Sequence, residues 1–144
     1  MDSRDEVYYV MEKVDTKVFR FAPDVGQLQK AGADAAKVIK DFASITVHMH
    51  LKDWTGWKSY SGYCPLGQGK IDSKAILTRA DIDHDLLKNN PGKVDIKTIL
   101  DIVEANHPEA DVMVELDPNG PLTPLETVQF SKAYLKTLGY TFKT

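Results

Sequence analysis

The chain has 144 residues, 42% of them hydrophobic and 27% charged, with a formal net charge of −3. That length and balance fit one globular domain, residues 1–144, with room for a core, and the interspersed charges exclude a basic stripe for nucleic acid or a polybasic membrane patch. The single cysteine, Cys64, excludes an intrachain disulfide, and the charged N-terminal stretch has neither a signal-peptide core nor a membrane span, so a reducing cytoplasm is the expected setting.

Ser3-Arg4-Asp5-Glu6 has the form of a capping box, and the 3/4 spacing of Val7, Val10, Met11 and Val14 beyond it predicts an amphipathic helix. Residues 18–24 alternate as a strand. A loop is expected between Gly26 and Gly32, after which Asp34 caps a helix that buries Val38, Ile39 and Phe42. Residues 45–51 then form a second strand parallel to the first, closing a βαβ unit. Residues 52–69 hold both tryptophans, Tyr60, Tyr63, Cys64 and Pro65, and read as a long ordered loop over the strand ends.

A short internal echo follows, in which residues 69–77 resemble residues 92–100, each with an aspartate placed to cap a helix. The second copy continues as a helix with Ile96, Ile99, Leu100 and Val103 on one face. Residues 112–116 form a third strand, and Asp117, ahead of Pro118, Asn119 and Gly120, has turn chemistry. Thr123-Pro124-Leu125-Glu126 opens a last helix, which is expected to bury Leu125, Val128, Phe130 or Ala133, and Leu135, with Gly139 ending it. The fold class is therefore α/β, with parallel strands and flanking helices.

The chemistry concentrates at the strand ends. Strict alternation along residues 45–51 puts Thr46, His48 and His50 on one face and Ile45, Val47, Met49 and Leu51 on the other. The first strand repeats this with Arg20 and Asp24 on the face that excludes Phe19 and Phe21. The third sets Met113 and Glu115 opposite the valines and Leu116. Asp24, His50 and Glu115 thus stand at three strand ends as candidate ligands, and their mixed nitrogen and oxygen donors suit a divalent ion such as Zn, Mn, Co or Mg. Lys52 and Asp53 can hydrogen-bond a substrate or fix the loop, Trp54 and Trp57 can exclude water from the strand ends, and His48 lies one layer deeper than His50. Cys64 has no base near it in sequence and reads as an inert thiol.

Asp24-Val25-Gly26-Gln27, His48-Met49-His50-Leu51-Lys52-Asp53, Pro65-Leu66-Gly67-Gln68-Gly69 and Val114-Glu115-Leu116-Asp117 together resemble, in this order, the C-terminal part of the xylose-isomerase-like TIM-barrel family. That family includes sugar and sugar-phosphate isomerases and epimerases and inosose dehydratases. The resemblance implies a partial TIM barrel of about the last three βα units. It implies a divalent metal held by Asp24, His50 and Glu115, with Glu115 also acting as a base, and places Gln27, His48, Lys52, Asp53 and Trp54 around a small sugar or cyclitol substrate. Gln27 stands where the family usually has histidine, and so can hydrogen-bond a sugar hydroxyl without serving as an imidazole. The family's fourth ligand, a glutamate from an earlier strand, has no counterpart here. Three parallel strands cannot close a barrel, so the resemblance also implies a homo-oligomer, a complementing chain that supplies the missing strands, or a fragment of a longer parent.

Overall fold

In the computed structural model, which describes residues 3–54, 62–67, 94–117 and 122–142, Ser3 opens the first helix, α1 (Arg4–Lys13). Its hydroxyl accepts from the Glu6 amide at 3.4 Å while the Glu6 carboxylate accepts from the Ser3 amide at 3.3 Å, so both ends of the expected capping box form. Val7 is buried from the apolar face. Tyr8 from the same helix bonds Asp41 and sets its ring edge-on to Phe42 at 5.2 Å, and Phe42 in turn meets Phe21 at 5.2 Å.

The expected loop after Asp24 is instead helical: α2 spans Val25–Lys30. Asp24 is its N-cap, with a side chain that accepts from the Gln27 amide, and Gly32, at φ 91, supplies the left-handed step that ends it. Asp34 caps α3 (Ala35–Asp41), which buries Val38 and Ile39 as its spacing predicts, and a 3-10 turn (Ala43–Ile45) leads into the central strand.

That strand, β1 (His48–Leu51), is shorter than the alternation from residue 45 suggests. Thr46 does not share the outward face of the histidines. It is fully buried, and its hydroxyl donates to the Phe42 carbonyl at 2.9 Å, finishing the turn rather than starting the strand. Residues 18–24 also fall short of a regular strand, running beside β1 through two parallel bridges, Phe21 to Thr46 and Asp24 to His50. Two causes are visible. Pro23 has no N–H to give to a ladder, and three residue steps on this segment match four on the other, which breaks the register.

On the other side β1 pairs in parallel with β4 (Asp111–Val114), from His48 opposite Asp111 to Leu51 opposite Val114. Between them in sequence lie β2 (Asp53–Trp54) and β3 (Tyr63–Cys64), an antiparallel pair of two residues each, inside what the sequence reads as loop. Asp95 caps α4 (Ile96–Asn106), which buries Ile96, Ile99, Leu100 and Val103, the expected four. The first copy of the echo, residues 69–77, along with Trp57, Tyr60 and His84, lies outside the described residues.

The last helix, α5 (Pro124–Thr137), keeps its capping box, with the Glu126 carboxylate 2.7 Å from the Thr123 amide. Its burial follows expectation only in part. Leu135 is buried as expected and Ser131 is buried beside it, but Leu125 is 66% exposed and Val128 is exposed too. The helix docks by the edge of Ser131 and Leu135, where the Ser131 hydroxyl accepts from the Leu66 amide at 3.2 Å, and the stripe ahead of it meets no partner among the described residues.

The result is a mixed α/β fold around a small parallel sheet, with helices α1 to α5 among the described residues. One hydrophobic cluster joins Val7 and Phe21 to Met49, Leu51, Ile99 and Leu135, so the helices share a core on one face of the sheet and leave the other face to the polar strand residues. No closed barrel is present among the described residues, and none of their helices is long and apolar enough to cross a membrane.

Candidate metal centre at the strand ends

Three chain segments deliver one polar side chain each to the same point. Asp24 arrives through its bridge to His50, with the His50 amide donating to the Pro23 carbonyl at 2.9 Å. Glu115 arrives one residue past β4, its amide donating to the Leu51 carbonyl at 3.1 Å. The ligand atoms offered by Asp24, His50 and Glu115 all lie within 4.8 Å of one another. These are the residues the alternation singles out, and His50 Nδ1 already stands 2.7 Å from Glu115 Oε2.

Asp24 divides its carboxylate between two tasks. Oδ1 accepts from the Gln27 amide at 3.0 Å and caps α2, while Oδ2 faces the centre. Burial raises the Asp24 carboxyl above its ordinary range, with the Gln27 amide and the Lys52 ammonium offsetting part of that rise.

The side chain at the middle of the cluster is Lys52. It is 3% exposed, and its Nζ lies 3.0 Å from Asp24 Oδ2, 3.0 Å from Glu115 Oε2 and 2.8 Å from Asp117 Oδ2. Burial alone would lower a lysine, but the carboxylates of Asp117, Glu115 and Asp24 hold this one well above its usual value, so it is a permanent cation. For Glu115 the balance runs the other way. Burial would raise it, yet the Lys52 ammonium and the His50 ring bring it below the ordinary glutamate value.

Sequence reasoning gives Lys52 as a substrate contact or a loop fastener and Asp117 as turn chemistry; the structure adds that both belong to this ion cluster. The signal was available, because Lys52 continues the period-two series of His48 and His50. Space for its stem comes from Gly26, where a Cβ would stand 2.9 Å from the Lys52 Cβ and Cγ.

The remaining candidates surround the cluster. His48 packs its ring edge-on to His50 at 5.1 Å. Gln27 accepts from the Tyr63 hydroxyl, and the Lys52 ammonium sits 4.8 Å from the Tyr63 ring centre, which makes Tyr63 a wall residue that the sequence did not single out. Asp53 takes the loop-fixing part: it is 0% exposed, its Oδ1 accepts from the Trp54 and Val94 amides at 2.7 and 3.3 Å, and its Oδ2 accepts from the Gly67 amide at 2.8 Å. Trp54 is half-buried on β2 opposite Tyr63. Cys64 lies beside this junction, where burial and then the Asp53 carboxylate push its thiol far above the ordinary range.

A carboxylate, an imidazole and a second carboxylate within this span are a donor set of the right chemistry for a divalent ion. The wider cluster sets three carboxylates against one ammonium, so two negative charges stay uncompensated when His50 is neutral. Chemically the arrangement can hold a cation, and it keeps an ionised glutamate beside an imidazole. The chain matches no family model, no curated protein and no solved structure.

Proposed function

We propose that this chain is the metal-binding end of a xylose-isomerase-like partial TIM barrel, and that its site isomerises, epimerises or dehydrates a small sugar or cyclitol. The observation that carries this reading is the convergence of Asp24, His50 and Glu115 from three parallel segments onto one point. Asp24, His50 and Glu115 would hold the ion. A divalent ion there supplies Lewis acidity toward neighbouring substrate oxygens.

The chain's own groups account for the other needs of such a reaction. Glu115 is ionised at neutral pH, the state required to accept a proton from carbon, and His50 fixes its orientation through the 2.7 Å contact. Gln27 and Tyr63 present an amide and a phenol to hydroxyl groups at the wall, and Trp54 lies beside them on β2. The test is metal content of wild type and His50→Ala after dialysis against Mn and removal of free ion. Wild type should retain near one ion per chain or per dimer. The variant should lose at least the 10- to 100-fold in affinity that even an outer-shell partner typically contributes. No metal in either protein would leave the cluster as an ion-pair network without the proposed chemistry.

A second reading, an assembly module, draws on a separate observation. β4 has no strand beyond it among the described residues, Met113 on it is 47% exposed, and the Leu125 and Val128 stripe of α5 is open nearby in sequence. Open parallel edges with apolar side chains invite pairing. Light scattering on the eluting protein should therefore show a discrete oligomer. A clean monomer across a tenfold concentration range would rule out identical chains completing the site.

A further inference from the structure

The buried ammonium at the centre of the cluster has a consequence beyond the choice of ligands. Asp24, Glu115 and Asp117 come from different parts of the chain, and each places one oxygen 2.8 to 3.0 Å from the Lys52 Nζ. Three carboxylates at that spacing repel strongly in a partly desolvated site, and a cation among them offsets that repulsion. Lys52 has little freedom to leave, since it is 3% exposed, Gly26 closes over its stem, and the Tyr63 ring faces its ammonium at 4.8 Å.

We propose that Lys52 is a positioning residue acting as a built-in cation, which gathers Asp24, Glu115 and Asp117 in the absence of an ion and fixes the cluster at two uncompensated negative charges, so that the site takes a divalent rather than a trivalent ion. The inference rests on the reading of Asp24, His50 and Glu115 as a cation site, and it adds Asp117, which touches Lys52 and is not one of those three, as the residue that sets the charge balance. Neutralising Lys52 leaves three negative charges. Neutralising Asp117 leaves one.

The experiment is competitive binding of Mn and terbium, by titration calorimetry and terbium luminescence, to full-length wild type, Lys52→Met and Asp117→Asn. Thermal melts in chelator and in each ion accompany it. Lys52→Met should shift the terbium-to-Mn affinity ratio upward by about tenfold or more, and its melting temperature should depend on added cation far more than that of wild type. Asp117→Asn should weaken Mn binding by about tenfold or more without removing any of the three ligands. If Lys52→Met is unfolded in chelator but folds with terbium, the proposal stands. If it is unfolded in every condition, Asp117→Asn decides, and an unchanged Mn affinity overturns the idea. An unchanged ion ratio in a folded Lys52→Met overturns it as well. Should wild type bind no Mn while Lys52→Met gains binding of either ion, the metal-dependent reading and the divalent preference both fail, and only the gathering of the three carboxylates by Lys52 remains.

Discussion

Asp53→Ala is expected to cost about 3–5 kcal/mol of stability, because one fully buried carboxylate serves the backbone amides of Trp54, Gly67 and Val94. Hydrogen bonds to a charged acceptor contribute about 1.5–3 kcal/mol each, and alanine leaves all three donors buried without that partner. In a chain of this size the loss corresponds to a fall of about 10 °C or more in melting temperature. Scanning calorimetry on Asp53→Ala and Asp53→Asn separates the contributions, since the amide oxygen of asparagine can still accept from one side of the junction. A drop below about 1 kcal/mol for the alanine variant would mean that these amides find water, and that Asp53 does not hold β2, the loop at Gly67 and the start of α4 together.

Gly67→Ala should lose about 2–5 kcal/mol for a different reason at the same junction. Its φ is 81, a left-handed value that costs a residue with a Cβ about 1–2 kcal/mol, and that Cβ would stand 2.2 Å from Cδ2 of Tyr134. The Tyr134 ring is part of the contact between α5 and the core, so it cannot swing away without disturbing the edge that carries Ser131 and Leu135. Chemical denaturation of Gly67→Ala, Asp53→Ala and the double variant would show non-additivity, because Asp53→Ala removes the acceptor that holds the Gly67 amide and Gly67→Ala strains the same backbone position. Full additivity would show that the two residues act independently.

The parts of the fold that the sequence made legible are those governed by local rules. Ser3, Asp34, Asp95 and Thr123 all cap helices where their spacing places them, and the four apolar positions of α4 are all buried. The convergence of Asp24, His50 and Glu115 was legible for a similar reason, since side chains alternate on strands whether or not the partners are known. What failed depended on neighbours. Gly26 reads as loop punctuation, but it sits inside α2 because the Lys52 stem passes against it. The stripe of α5 is apolar along its length, and periodicity cannot tell which turns will find a partner. Lys52 reads as a surface residue in any composition-based view, and only the meeting of three carboxylates makes its burial tolerable.

The slipped register beside β1 makes the spacing of residues 21–24 as consequential as their identity. Phe21 is anchored in the core against Phe42 and Asp24 is anchored as the cap of α2, with three residue steps between them set against four on the neighbouring strand. A single residue gained or lost between these anchors would leave every functional side chain in the sequence, yet would turn the aspartate off the level of His50. In descent from a common ancestor, then, this short span would tolerate exchange of side chains far more readily than any change in length, and an insertion there would silence the cluster without touching one of its members.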